Sequence, residues 1–279
     1  MAATGLPDSG ATSGSIWALG DYHSFAKQTI WEIGPVLSEA AGIEAGHRVL
    51  DVAAGTGNVA IRAALRGAHV VASDITPENF PAGRREAALN GVDLEWAEAD
   101  AQALPFGDSE FDVVTSAFGA IFAPDHEAVA RELLRVCRIG GTIAMANFTP
   151  DGRSGAFFEL VGRYAPPPPP ASRPPTLWGR ENHVRDLFGD RVAMQAVRRR
   201  YVERAASPEA YRDLFTETFG PAVAIRRALR SFPERLAAFD RDLLDFARRS
   251  DAGEIGGPVE YTYGYLLVLA QRIGPSLPE

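Results

Sequence analysis

At 279 residues the chain has room for one large domain or a domain with a sizeable insertion, and its 46% hydrophobic and 23% charged fractions are ordinary for a folded protein. A net charge of -8 argues against nucleic acid or an anionic membrane surface as a partner. The single cysteine, Cys137, excludes an intramolecular disulfide and offers no metal-ligand spacing. Lys27 is the only lysine among 28 basic residues, which with the many Ala, Gly and Pro suggests a GC-rich bacterial genome. Residues 1–15 carry no basic residue and no apolar core, so they read as a disordered tail and not as a signal peptide. No apolar run reaches membrane-spanning length, and the expected location is cytoplasmic.

A helical segment around 24–40 opens the folded part. Residues 48–54, "RVLDVAA", form a short apolar run ending in glycines, which reads as a strand. Residues 58–66 read as a helix stopped by Gly67. A second buried strand, 69–74, leads to a helical stretch around 78–90 that ends at the turn signal Asn90-Gly91. Residues 94–100 alternate, and 111–117 are apolar again. The stretch 125–138 places Val129, Leu133 and Val136 at helical spacing behind Asp125 as N-cap. Cys137 falls at an apolar position of that helix and is expected to be a buried thiol. Gly140-Gly141 then turns into a strand at 142–148. Strand, helix, strand at this rhythm implies a parallel sheet with helices on both faces.

The second half differs in texture. The proline run at 165–175 can be neither helix nor central strand and is expected as an extended surface connection. Residues 197–205 are a strand candidate whose arginines, Arg198, Arg199 and Arg200, read as a solvated face. Two amphipathic helices are expected at 208–230 and 232–249, broken at Ser231-Phe232-Pro233. A late strand at 259–271 is rich in aromatic and β-branched residues. The whole reads as one α/β domain over 16–279.

On the residues alone, the ligand of the stretch "VLDVAAGTGNVA" (49–60) is open. From Gly55 it satisfies G-x-G-x-x-A, which a dinucleotide-binding fold also supplies. Glycines there let the backbone approach a ligand closely, and Asp74 ends the next strand where an acidic side chain accepts both ribose hydroxyls. A nicotinamide enzyme and an adenosine-binding enzyme fit equally so far. Asp51 divides them, because a pyrophosphate wants positive potential at this loop whereas a carboxylate suits a ligand carrying an ammonium group. Asp100, with Ala101 and Gln102 behind it, makes a short acidic turn suited to the exocyclic amine of adenine. Nicotinamide enzymes also often begin near the glycine strand, and here a helical segment precedes it.

With "VLDVAAGTGN", "VVASDI", "EADAQALPF", "FDVVTSAFG" and "ELLRVCRIGGTIAM" in this order, the chain from about 45 to 148 resembles the class I S-adenosylmethionine-dependent methyltransferases, of the small-molecule, ubiquinone-biosynthesis-like type. The resemblance implies a Rossmann-like α/β fold with a seven-stranded, mostly parallel sheet whose last strand is antiparallel. Helical insertions at 150–190 and 206–258 would cover the acceptor. It implies S-adenosylmethionine as cofactor, with Asp51, Ala53, Gly55 and Gly57 around the methionine part and Asp74 on the ribose. Ile75 would lie against adenine, Asp100 and Ala101 at its edge, and Ser116 and Phe118 on the methyl-donor face. Two residues depart from the pattern. Ala53 stands where many members have the first of three glycines, and Ile139 replaces the proline usual before Gly140-Gly141.

Methyl transfer from a sulfonium is an in-line displacement whose thioether leaving group needs no proton. Orientation of that kind supplies about 7–11 kcal/mol, while a general base adds only about 10²–10⁴-fold. Among the histidines, His23 in the segment expected to cover the cofactor is the candidate base. Tyr22 beside it is a second candidate and a cofactor contact. His47 and His69 fall at the amino ends of strands, and His126 is expected at the surface of a first helical turn. Trp17, Phe122, Trp178 and His183 are candidates for the acceptor pocket, where aromatic faces favour a sulfonium charge. The expected acceptor is an apolar small molecule methylated at oxygen, nitrogen or sulfur, with no metal, nucleic-acid or membrane partner. A non-catalytic cofactor-binding scaffold and a nicotinamide-dependent oxidoreductase are the alternatives.

Overall fold

The computed structural model describes residues 16–249, 252–253 and 258–274, and the tail expected at 1–15 lies outside them. Two short helices, α1 (Tyr22–Gln28) and α2 (Ile33–Ala40), precede the sheet, so the single helical segment expected around 24–40 is divided. The alternating half then runs β1 (Arg48–Val52), α3 (Asn58–Leu65), β2 (His69–Asp74), α4 (Phe80–Leu89), β3 (Glu95–Glu98), β4 (Phe111–Ala117), α5 (His126–Val136) and β5 (Cys137–Phe148). It continues with α6 (Gly152–Gly162), α7 (Glu181–Phe188), β6 (Val192–Ala205), α8 (Pro208–Thr218), α9 (Gly220–Ala228), α10 (Pro233–Arg248), a two-residue β7 (Ala252–Gly253) and β8 (Val259–Arg272).

The sheet order is β3-β2-β1-β4-β5-β8-β6, with β7 attached to β8. β1 pairs in parallel with β2 and β4, β2 with β3, and β4 with β5. β8 is antiparallel to both β5 and β6. This is the Rossmann-like arrangement with an antiparallel last strand, extended by the minor β7.

Alternation along the strands sorts the core into two layers. Leu50, Val52, Val114, Ile143, Met145, Leu266 and Val268 pack with residues of α5 and α7 on one face. Val49, Val113, Ala144, Ala146, Tyr265 and Leu267 face the opposite way, toward α2, α3, α8 and α10. The second layer is rich in aromatic rings, because the helices after β6 bring Tyr211, Phe215, Phe219, Phe239 and Phe246 onto it.

Several boundaries differ from the sequence reading. α5 ends at Val136, and Cys137, fully buried as expected, opens β5 instead of closing a helix. Asp125 does cap α5, accepting from Ala128 N at 2.9 Å. The helix expected over 208–230 is two helices, α8 and α9, separated at Phe219 by Gly220-Pro221. Residues 166–169 and 172–174 carry no helix or strand, in keeping with their prolines. Among the described residues no helix is long and apolar enough to cross a membrane.

Candidate active site

One cavity of about 340 Å³ runs along the carboxyl edge of the sheet in strand order. Its wall passes from Asp100, Ala101 and Gln102 after β3, through Asp74 and Ile75 after β2 and Ala53 and Gly55 after β1, to Phe118 and Gly119 after β4. It ends on Phe148 of β5, Tyr263 of β8, and Tyr201 and Glu203 of β6. Strand ends in an open α/β sheet are where loops leave room for ligands.

The first half of this wall is made of short turns. Asp74 is 8% exposed; its Oδ2 accepts from Gly55 N at 2.7 Å and its Oδ1 from Thr76 N at 2.9 Å. Burial raises its carboxyl above the usual range, against the pull of those N–H groups. Asp100 Oδ1 accepts from Gln102 N at 2.9 Å, and Gln102 Nε2 donates to both of its oxygens at 3.1 Å. Gly55 has φ +58, and a Cβ there would fall 2.4 Å from the Tyr22 ring, so a bare backbone is required at that contact. Burial first, then the carboxylates of Asp74 and Asp51, push the Tyr22 phenol well above its ordinary range.

Ala53 and Phe118 both hold positive φ, 54° and 59°. For residues with side chains this is a strained backbone, and strain of that kind gathers at functional sites. Ala53 thus adopts the conformation that glycine usually supplies at its position, and both strained residues line the cavity.

The other half of the wall is aromatic. Phe118 stacks on Phe148 at 4.0 Å between centroids, and Phe122, Phe157, Phe158, Phe215 and Phe219 complete the surface. Trp17 joins the pre-sheet segment to this wall, 4.8 Å from Phe122 and 5.7 Å from Phe219.

Of the residues singled out from sequence, Trp17, Tyr22, Ala53, Gly55, Asp74, Ile75, Asp100, Ala101, Phe118 and Phe122 meet at the cavity. The others do not line it. Asp51 is 1% exposed; its carboxylate accepts from Ala60 N at 3.1 Å and Thr115 Oγ1 at 2.8 Å, tying the glycine loop and α3 to β4. Burial pushes it up to about 7. Gly57 leaves room for a ring instead of a ligand, since a Cβ there would meet Trp96 at 2.9 Å. Ser116 donates to Val52 O and accepts from Ala120 N, so it fixes the turn after β4.

His23 is turned off the cavity. On α1 the inward face belongs to Tyr22 and Phe25, and the His23 ring contacts Thr56 Oγ1 at 3.2 Å and Glu86 at 3.4 Å. Trp178 is fully buried in the layer with Phe188, and His183 bonds the His126 ring at 3.0 Å, so neither reaches the acceptor pocket. His126 itself is buried, not at the surface, and burial lowers it to about 4.

Sequence reading missed Tyr201, Glu203 and Tyr263. The available signal was period-two alternation, Tyr201 and Glu203 on one strand and Tyr261, Tyr263 and Tyr265 on another. Only the β6–β8 register brings the two sets together.

Comparison with known proteins bears on the family and the fold. Residues 49–141 match a methyltransferase domain family. The chain belongs to the class I S-adenosylmethionine-dependent methyltransferases. It is 43% identical over 239 residues to the uncharacterized protein Rv1403c of Mycobacterium tuberculosis, covering 85% of this chain and 87% of that one. It is 42% identical over 116 residues to a demethylmenaquinone methyltransferase of Thermus thermophilus, covering 41% of this chain and 52% of that enzyme. In fold it is similar to the YcgJ protein of a Bacillus, with a TM-score of 0.58 at 19% identity over 91% of this chain and 99% of the other.

The residues present fit the cofactor of this family. A donor with a sulfonium and an ammonium group meets a wall with Asp74 and Asp100 and no Lys, Arg or His among its described lining residues. Gly55 lets the Tyr22 ring close onto the glycine loop, and both line the cavity.

Proposed function

We propose that this methyltransferase acts on an apolar small molecule held in the aromatic half of the cavity, with methylation at oxygen, nitrogen or sulfur. The observation that carries the reading is the run of rings from Phe118 and Phe148 to Phe157, Phe158, Phe215 and Phe219 along one cavity wall. When bound, S-adenosylmethionine supplies the methyl group and a thioether that leaves without a proton.

The chain's own residues orient and exclude water. Asp74 accepts from ribose hydroxyls, Asp100 and Ala101 meet the adenine edge, and Ile75 packs on its face. Tyr22 and Phe118 flank the methyl-bearing side. Asp51, Gly57 and Ser116 act at one remove, holding the loops that present Ala53, Gly55 and Phe118. No base is assigned, because alignment alone contributes about 7–11 kcal/mol. The absence of Lys, Arg and His among the described lining residues supports acceptors without phosphate or carboxylate groups, and an acidic chain of net charge -8 supports an enzyme without nucleic-acid partners, read as cytoplasmic. Residues 16–279 are read as a single domain in natural-product or xenobiotic metabolism.

The test is a turnover screen with methyl-labelled cofactor against apolar phenols, amines, thiols and carboxylic acids. Label should pass to apolar phenols, amines or thiols and not to acids. Transfer confined to protein, RNA or anionic acceptors would sink the proposal.

A further inference from the structure

Glu203, at the far end of the cavity, has a carboxylate that cofactor binding does not use. It stands on β6 and is 4% exposed; its Oε1 accepts from Tyr201 OH at 3.1 Å and its Oε2 from Tyr211 OH at 2.9 Å. Register sets Tyr201 opposite Tyr263 and Glu203 opposite Tyr261, so alternation on two strands places a carboxylate in a surface of tyrosines. The Tyr201 and Tyr263 rings stack at 5.6 Å with an interplanar angle of 20°, and both line the cavity with Glu203.

Its partners are unlike those of the other two lining acids. Asp74 and Asp100 accept from backbone N–H groups. Glu203 accepts from neutral hydroxyls, and among the described residues it joins no ion pair. The Arg153 charge lies near enough to ease ionisation of Glu203, but Arg153 makes no ion pair with that carboxylate among the described residues. Its guanidinium lies 4.0 Å from the Phe246 ring centroid and 4.2 Å from that of Tyr261, and it donates to the carbonyls of Phe246 and Arg249. A buried carboxylate facing a cavity without a cation is costly to charge, and an entering cation relieves that cost. Tyrosine faces add attraction for the same charge.

We propose that Glu203, framed by Tyr201 and Tyr263, anchors a protonated amine carried by the methyl acceptor at the end remote from the methylated atom. The proposal rests on reading the aromatic half of the cavity as the acceptor site. A protonated nitrogen held by a carboxylate has no lone pair to attack with, so it is a handle and not the nucleophile. Geometry agrees: β6 lies three strand spacings from β4, about 4.8 Å each. The acceptor is then a molecule with an apolar middle, a nucleophile at one end and a cation at the other.

Three probes of one shape test this: 4-phenylbutylamine, 4-phenylbutanol and 4-phenylbutanoate. Each is titrated by calorimetry into protein saturated with S-adenosylhomocysteine. The amine should bind at least about tenfold tighter than the alcohol, as a charge-assisted bond exceeds a neutral one, and the carboxylate should bind weakest. Glu203→Gln should erase the amine's advantage while leaving alcohol and S-adenosylhomocysteine affinities in place, and Glu203→Asp should restore part of it. An amine advantage that survives in Glu203→Gln overturns the proposal. So does a wild-type protein that binds alcohol and amine alike, a result that leaves the apolar-acceptor reading intact. Binding of none of the three overturns both. Should Glu203→Gln fail to fold, the wild-type ranking decides alone.

Discussion

The carboxylate of Asp74 accepts from Gly55 N and Thr76 N while facing the cavity, and in the proposed function it also accepts from the cofactor. Asp74→Ala should lower S-adenosylhomocysteine affinity about tenfold or more, the loss of charge-assisted bonds worth roughly 1.5–3 kcal/mol. Unchanged affinity by calorimetry in a folded variant would remove Asp74 from the site. His23 has the opposite standing, held by Thr56 and Glu86 away from the cavity. His23→Ala should therefore lose far less than the roughly 10²–10⁴-fold in kcat that removal of a general base costs. A large kcat defect rescued by added imidazole would return it to the chemistry. At this scale the cofactor half was legible because its signals are local: a glycine loop, a strand-ending acid and an acidic turn. Chain position alone could not tell which side of α1 faces inward, so His23 and Tyr22 read alike.

Among the elements, α1 and α8 with the following Phe219 close the cavity from above, through Tyr22 and Phe25 on one side and Phe215 and Phe219 on the other. The Phe25 ring lies 5.0 Å from Phe215 and 4.8 Å from Phe219, so the two elements meet through rings and not through a hydrogen-bonded ladder. Such a contact opens without breaking backbone bonds, as a cover must. Backbone amides of α1 and α8 should exchange more slowly with S-adenosylhomocysteine and an acceptor bound together. Equal protection with and without ligands would count against a cover. The strands of the first half were readable from apolar runs bounded by glycine. α6 was not, because Gly152, Gly155 and Gly162 weaken its helical signature. The acceptor wall was illegible for another reason: Glu203 and Tyr263 are far apart in sequence and meet only through strand register.

For the molecule as a whole, buried titrating groups set opposing trends with pH. Burial raises Asp51 from 3.8 and Glu203 from 4.5 to about 7 each. The native state then holds more protons than the unfolded chain across that window, so both contributions to stability fall as pH rises through it. His126 is lowered from 6.5 to about 4, so its contribution rises with pH over that interval. Above the histidine range only the carboxylates act. In the cofactor-free protein, urea unfolding should show stability declining from about pH 6 to about pH 8, and Asp51→Asn should flatten that decline. A variant curve parallel to the wild type would speak against a titrating Asp51. One more consequence belongs to the outermost strand. β6 pairs only with β8 among the described strands, so its other edge has no strand partner among them. Exposed Arg198, Arg199 and Arg200 sit along it. Arg198 is paired with Asp151 at 2.6 Å, whereas Arg199 and Arg200 join no ion pair among the described residues. A second copy arriving to extend the sheet strand against strand would bring these charges against their counterparts, and that repulsion works against edge-to-edge aggregation.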